Sequence, residues 1–173
     1  MIVFLGAAFA RPHDGDELVA LLAEIRAAGD AGNVAGAAAM TRALLVDPKA
    51  LARVLVSDAP PSFVDAVVGA AEQWSDDSDA VVARYLTPAG RTECRAYAAT
   101  TEAIAAGADE FPGGAVQLAK RVMAPGVTWL EVSCTEPGAA LGTRFHLFFH
   151  DGRRWRMLGP AWRWLEDPSS RVP

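Results

Sequence analysis

Three β-forming runs close the chain and constrain its fold most. They are Val127-Thr-Trp-Leu-Glu-Val-Ser-Cys134, Thr143-Arg-Phe-His-Leu-Phe-Phe-His150 and Arg153-Arg-Trp-Arg-Met-Leu158, divided by turn residues such as Asp151-Gly152. β-branched and aromatic residues suit a pleated surface, and short runs separated by turns predict an antiparallel meander. Upstream, apolar residues recur with helical rather than strand spacing, so helices come first and the sheet last.

The helical signals are local and physical. Asp14-Gly-Asp-Glu17 resembles a capping box and precedes Leu18, Leu21, Leu22 and Ile25, one apolar stripe ending near Gly29. Asn33 caps a second helix, and Asp47-Pro48 pairs an N-cap with proline at the first helical position. Pro60-Pro61 opens a fourth helix bearing Phe63, Val64, Val67, Val68, Ala71 and Trp74, and a short helix ends at Tyr85-Leu86. Residues 92–99 alternate weakly, as a strand does. Thr100 or Thr101 caps a short helix, and Phe111-Pro-Gly-Gly114 leads into another, halted by Pro125-Gly126. Trp162-Arg-Trp-Leu165 reads as a short edge. The expectation is an α+β domain over 14–166, with helices packed on one face of a small antiparallel sheet. An apolar segment precedes it (1–13), read as a truncated signal peptide or a first strand, and a tail follows it (167–173).

Bulk properties narrow the function classes. At 173 residues the chain can bury a core without staples. Net charge of −5 argues against nucleic-acid binding, which needs a basic face. The charge is uneven: residues 138–173 carry 6 basic and 3 acidic side chains, against 10 and 18 before them. No apolar run approaches the roughly 20 residues of a membrane span. Ala8-Phe9-Ala10 in an apolar start matches the cleavage end of a secretory signal that lacks its basic n-region. Export to the periplasm is the expectation, and a cytoplasmic location the alternative. Cys94 and Cys134 either form a bridge in that setting or stay as small core hydrophobes.

The hairpin around Asp151-Gly152 decides which side chains share a face. A three-residue loop pairs Leu147 with Trp155 and Phe145 with Met157, giving one apolar face, whereas a two-residue loop mixes apolar and charged residues. The three-residue register is expected. It gathers Arg144, His146, Phe148, Arg154 and Arg156 on the other face, with Trp129 and Glu131 on the preceding strand. This face is either a solvated surface or a small pocket for an anionic or aromatic ligand. In the pocket reading Trp129 and Phe148 form walls, Arg144 or Arg156 clamps a carboxylate, and His146 lies between.

Catalytic signals are sparse. His146 and Glu131 could act as an acid–base pair if their strands are neighbours. On a strand, His146 and His150 stand about 13 Å apart, four steps of about 3.3 Å, so they cannot share a metal ion. Nucleophile motifs and phosphate loops are missing, and no cofactor is expected. Trp162 and Trp164 are candidates for a protein-partner surface.

The tail His146-Leu-Phe-Phe-His-Asp-Gly-Arg-Arg-Trp-Arg-Met-Leu-Gly-Pro-Ala-Trp-Arg163, with Ala98-Ala-Thr-Thr-Glu102 and Glu110-Phe-Pro-Gly-Gly114, resembles bacterial proteins of unassigned activity, several of them exported. No functional residue carries over from them. More loosely, helices before a curved antiparallel sheet are similar to the NTF2-like or cystatin-like superfamily, although this chain has more helix ahead of its first strand. That likeness implies small-molecule binding, isomerase or hydratase chemistry, or protein interaction. The reading reached is a non-catalytic soluble domain binding a small ligand or a protein partner. Its alternative is a small enzyme moving a proton through His146 and Glu131.

Overall fold

The computed structural model describes residues 15–165. Five helices come first: α1 (Gly15–Asp30), α2 (Val34–Ala43), α3 (Pro48–Val54), α4 (Pro61–Asp76) and α5 (Asp79–Tyr85). Strand β1 (Glu93–Thr100) leads through α6 (Thr101–Ala105) and α7 (Gly113–Arg121) to β2 (Thr128–Thr135), β3 (Gly142–His150) and β4 (Trp155–Met157). The α+β class and the order of helices before the sheet are those expected. Among the described residues, no helix is long and apolar enough to cross a membrane.

Capping chemistry sets the helix starts. Asn33 Oδ1 accepts from the Gly36 amide at 3.0 Å, Asp47 Oδ1 from the Ala50 amide at 2.8 Å, and Thr100 Oγ1 from the Ala103 amide at 3.3 Å. Each satisfies an amide that the first helical turn leaves without a partner. The Asp14 cap lies outside the described residues. Helix α1 runs just past Gly29, and Gly32 takes the left-handed conformation (φ 80°) that closes its C-terminus.

The four strands pair in chain order, all antiparallel. Adjacent residues Phe148 and Phe149 are both fully buried although they point to opposite sides, so both faces of the sheet are covered. On one side Leu130, Val132, Phe145, Phe148, Trp155 and Met157 pack with Leu18, Leu22 and Ile25 of α1, Ala37 and Ala38 of α2, and Val82 and Ala83 of α5. On the other, Trp129, Leu147 and Phe149 pack with Leu51, Phe63, Val67, Ile104 and Leu118. The helical cover expected on one face is present, and α3, α4, α6 and α7 add a second. Cys94 and Cys134 stand opposite each other in the β1–β2 register and form a disulfide.

The expected hairpin register is corrected. His150 pairs with Trp155, Phe149 with Arg156 and Phe148 with Met157, so the loop is the four residues 151–154. Leu147 and Trp155 therefore face opposite sides of the sheet, and Arg154 belongs to the turn. Two physical causes act together. The Asp151 carboxylate accepts from the amides of Arg153 (2.8 Å) and Arg154 (3.0 Å), and this Asx-type turn favours the longer loop, with Gly152 at φ 90°. In addition, a sheet buried on both sides has no single apolar face with which to choose a register. A second correction concerns 161–164, where the short edge strand is replaced by a turn of 3-10 helix (Ala161–Trp164).

Candidate ligand site

Register places side chains in rows across the second face. The innermost row holds Trp129, with Ala99 opposite it on β1; Trp129 is fully buried against Phe149 and donates its indole N–H to Thr101 at 3.0 Å. The next row is Tyr97, Glu131 and His146. Beyond it Arg95 pairs with Ser133, which pairs in turn with Arg144, so two guanidinium side chains share a face about 10 Å apart with a serine between them. Exposure rises along these rows, from the buried tryptophan to Arg95 and Arg144, which reach solvent.

A bulge brings His146 to Glu131. Leu130 pairs with Phe148 but Val132 with Phe145, so His146 and Leu147 together oppose the single residue Glu131. Leu147 adopts φ 57°, a left-handed conformation that costs a branched residue about 1–2 kcal/mol. Full burial of its side chain and the 2.9 Å bond from the Leu158 amide to its carbonyl offset that strain.

Glu131 is 1% exposed, with Oε2 2.6 Å from His146 Nδ1. Its Oε1 has no hydrogen-bond partner among the described residues. Burial pushes this carboxyl above its ordinary range; the His146 hydrogen bond and charge, the Leu147 amide and Arg144 pull the other way and are outweighed. With Glu131 ionised, Nδ1–H donates to it and the lone pair falls on Nε2. The His146 side chain is 23% exposed, and its ring meets Trp162 edge-on at 5.1 Å. Trp162 is seated by Gly114, where a Cβ would fall 2.3 Å from the indole.

Arg144 reaches Glu110 through two contacts of 3.2 Å, one to the backbone carbonyl and one to the carboxylate. Both side chains are substantially exposed, so the ion pair contributes at most about 1 kcal/mol and yields readily to a competing anion. Arg95 has no ion-pair partner among the described residues. Two clefts meet at Arg144. One, of about 420 Å³, is lined by Glu93, Arg95, Tyr97, Ser133 and Thr135 beneath the 138–140 loop. The other, of about 190 Å³, holds His146, Tyr85, Trp162 and Arg163.

Of the residues expected at the site, Glu131, His146 and Arg144 come together. Trp129 is core, not a wall of the pocket. Phe148 lies on the other side of the sheet, fully buried. Arg156 is no ligand clamp, because it is 5% exposed and already engaged: Asp151 at 2.9 Å, Asp47 at 2.7 Å and the Leu45 carbonyl at 2.6 Å. Trp162 and Trp164 are partly buried against the second core. Arg95, Tyr97 and Ser133 were not foreseen. Alternation along β1 carried their signal, but their face depends on pairing with residues about forty positions away.

Comparison with protein-family models, curated proteins and solved structures found no match.

Proposed function

We propose that this protein is a non-catalytic domain that binds a small anionic molecule around Arg144 and His146. One observation carries the reading: the row Arg95–Ser133–Arg144 lies open beside the row Tyr97–Glu131–His146 on a sheet otherwise covered by helices. The Arg95 and Arg144 guanidinium groups, on β1 and β3 with Ser133 of β2 between them, repel one another, and an anion between them removes that repulsion. Glu93 at the cleft's outer end disfavours an anion there and leaves Arg144 as the centre.

Isothermal titration with acetate, succinate and inorganic phosphate tests this. Arg144→Gln should weaken binding roughly 10- to 100-fold, the worth of one charged hydrogen bond of about 1.5–3 kcal/mol. An unchanged affinity would remove Arg144 from the site.

A second reading is favoured by the 2.6 Å contact between Glu131 and His146. A buried carboxylate behind an imidazole fixes its tautomer and leaves Nε2 to take or give a proton. Deuterium exchange into a bound carbon acid, lost in His146→Gln, would identify proton transfer. The disulfide between Cys94 and Cys134 supports export, because such bridges persist in oxidising compartments. Docking of a protein through Trp162 and Trp164 has less support, as Trp162 already packs on His146 and Gly114.

A further inference from the structure

We infer that the ligand is a carboxylate carrying a hydrocarbon body, whose apolar part lies in a slot between α4 and the segment after β4. This rests on the anion-binding reading above and adds the ligand's other half. The slot, of about 230 Å³, is lined by Val67, Ala71 and Trp74 of α4, by Met157 and Leu158, and by Trp164. Its walls are mostly apolar. It adjoins the His146 cleft, and Tyr85, Met157, Gly159, Pro160 and Arg163 line both.

Chemistry therefore changes along one path. At one end aromatic and aliphatic side chains predominate, with Gln73 an uncharged polar group among them. At the other stand His146 and Arg144, and the Arg163 side chain lies where the two spaces meet. A bare anion gains nothing from the slot, and a bare hydrocarbon gains nothing from the arginines. A molecule with a carboxylate head and an unbranched tail satisfies both. Each methylene buried adds about 0.8 kcal/mol, roughly fourfold in affinity. About 230 Å³ matches roughly eight volumes of about 30 Å³, so the gain should level off near eight carbons.

The experiment is a titration of the full chain with acetate, butyrate, hexanoate, octanoate, dodecanoate and 1-octanol. Affinity is expected to climb at least tenfold from acetate to octanoate and to level off at dodecanoate, with 1-octanol weaker than octanoate. Ala71→Phe fills the slot and should reduce octanoate to the level of acetate while acetate is unchanged; Ala70→Trp serves if the first variant does not fold. Octanoate binding no tighter than acetate, or undiminished in the filled slot, overturns the inference and leaves the anion site standing. Failure of every carboxylate, acetate included, overturns the anion site itself.

Discussion

Glu131 gives up water on all sides and recovers contacts to the His146 ring and the Leu147 amide, while its Oε1 has no hydrogen-bond partner among the described residues. In the folded chain its carboxyl holds a proton more tightly than in the unfolded chain, where the ordinary value is 4.5. Its contribution to stability is therefore complete below that value and is lost as pH rises through the raised folded value. Glu131→Met keeps the volume and removes the buried charge, and the His146 Nδ1–H can turn to water. We expect the variant to gain about 1 kcal/mol at pH 7 and to lose this part of the pH dependence, measured by urea unfolding from pH 4 to 8. A destabilised variant at pH 7 would show that the pair holds the fold together. This pair was legible in part: it required neighbouring strands in suitable register, and the bulge that sets His146 and Leu147 opposite Glu131 had no signal in the alternation.

Between elements, Arg156 fastens β4 to the loop joining α2 and α3, and the Met157 amide adds a 2.7 Å bond to the Leu44 carbonyl. Burial would raise the Asp151 carboxyl, yet the Arg156 hydrogen bond and the amides of Arg154 and Arg153 hold it down at about 2, against 3.8 unperturbed. That stability is present above 3.8 and is lost as pH falls from 3.8 toward 2, roughly 2 kcal/mol in all. Arg156→Leu strands the mostly buried Asp151 side chain and should cost about 3 kcal/mol at pH 7, with the acid limb of the stability curve flattened. Chemical denaturation at pH 2.5, 4 and 7 measures both effects. Helix starts were readable from Asn33, Asp47-Pro48 and Thr100, since a cap acts over three residues. The hairpin was not, because its register depends on the Asp151 side chain and on a bulge. The bulge at His146 and Leu147 turned Phe148 to the other side of the sheet, and burial with Asp151, Asp47 and the Leu45 carbonyl took Arg156 out of the expected pocket.

For the whole molecule, the Cys94–Cys134 bridge joins the two strands that bracket α6 and α7 and closes a loop of 40 residues. Cross-linking a loop of that size limits the unfolded chain by about 4 kcal/mol. Cys94→Ser with Cys134→Ser should lower stability by 2–4 kcal/mol, and reduced wild-type protein should match the variant in thermal unfolding. The sequence showed both thiols on strands, but their opposition is a matter of β1–β2 pairing, as is the alignment of Arg95 with Ser133 and Arg144.

Cores on both faces of one late sheet have a temporal corollary. Helices α1 to α5 belong to two different packed clusters, one completed by residues of β2 and β3 and the other by residues of β2, β3 and β4. Among the described residues, α1 to α5 (15–85) leave the ribosome carrying the apolar faces of both clusters before the four strands that cover them. Until the sheet is made, both apolar surfaces are exposed, the condition that chaperones recognise.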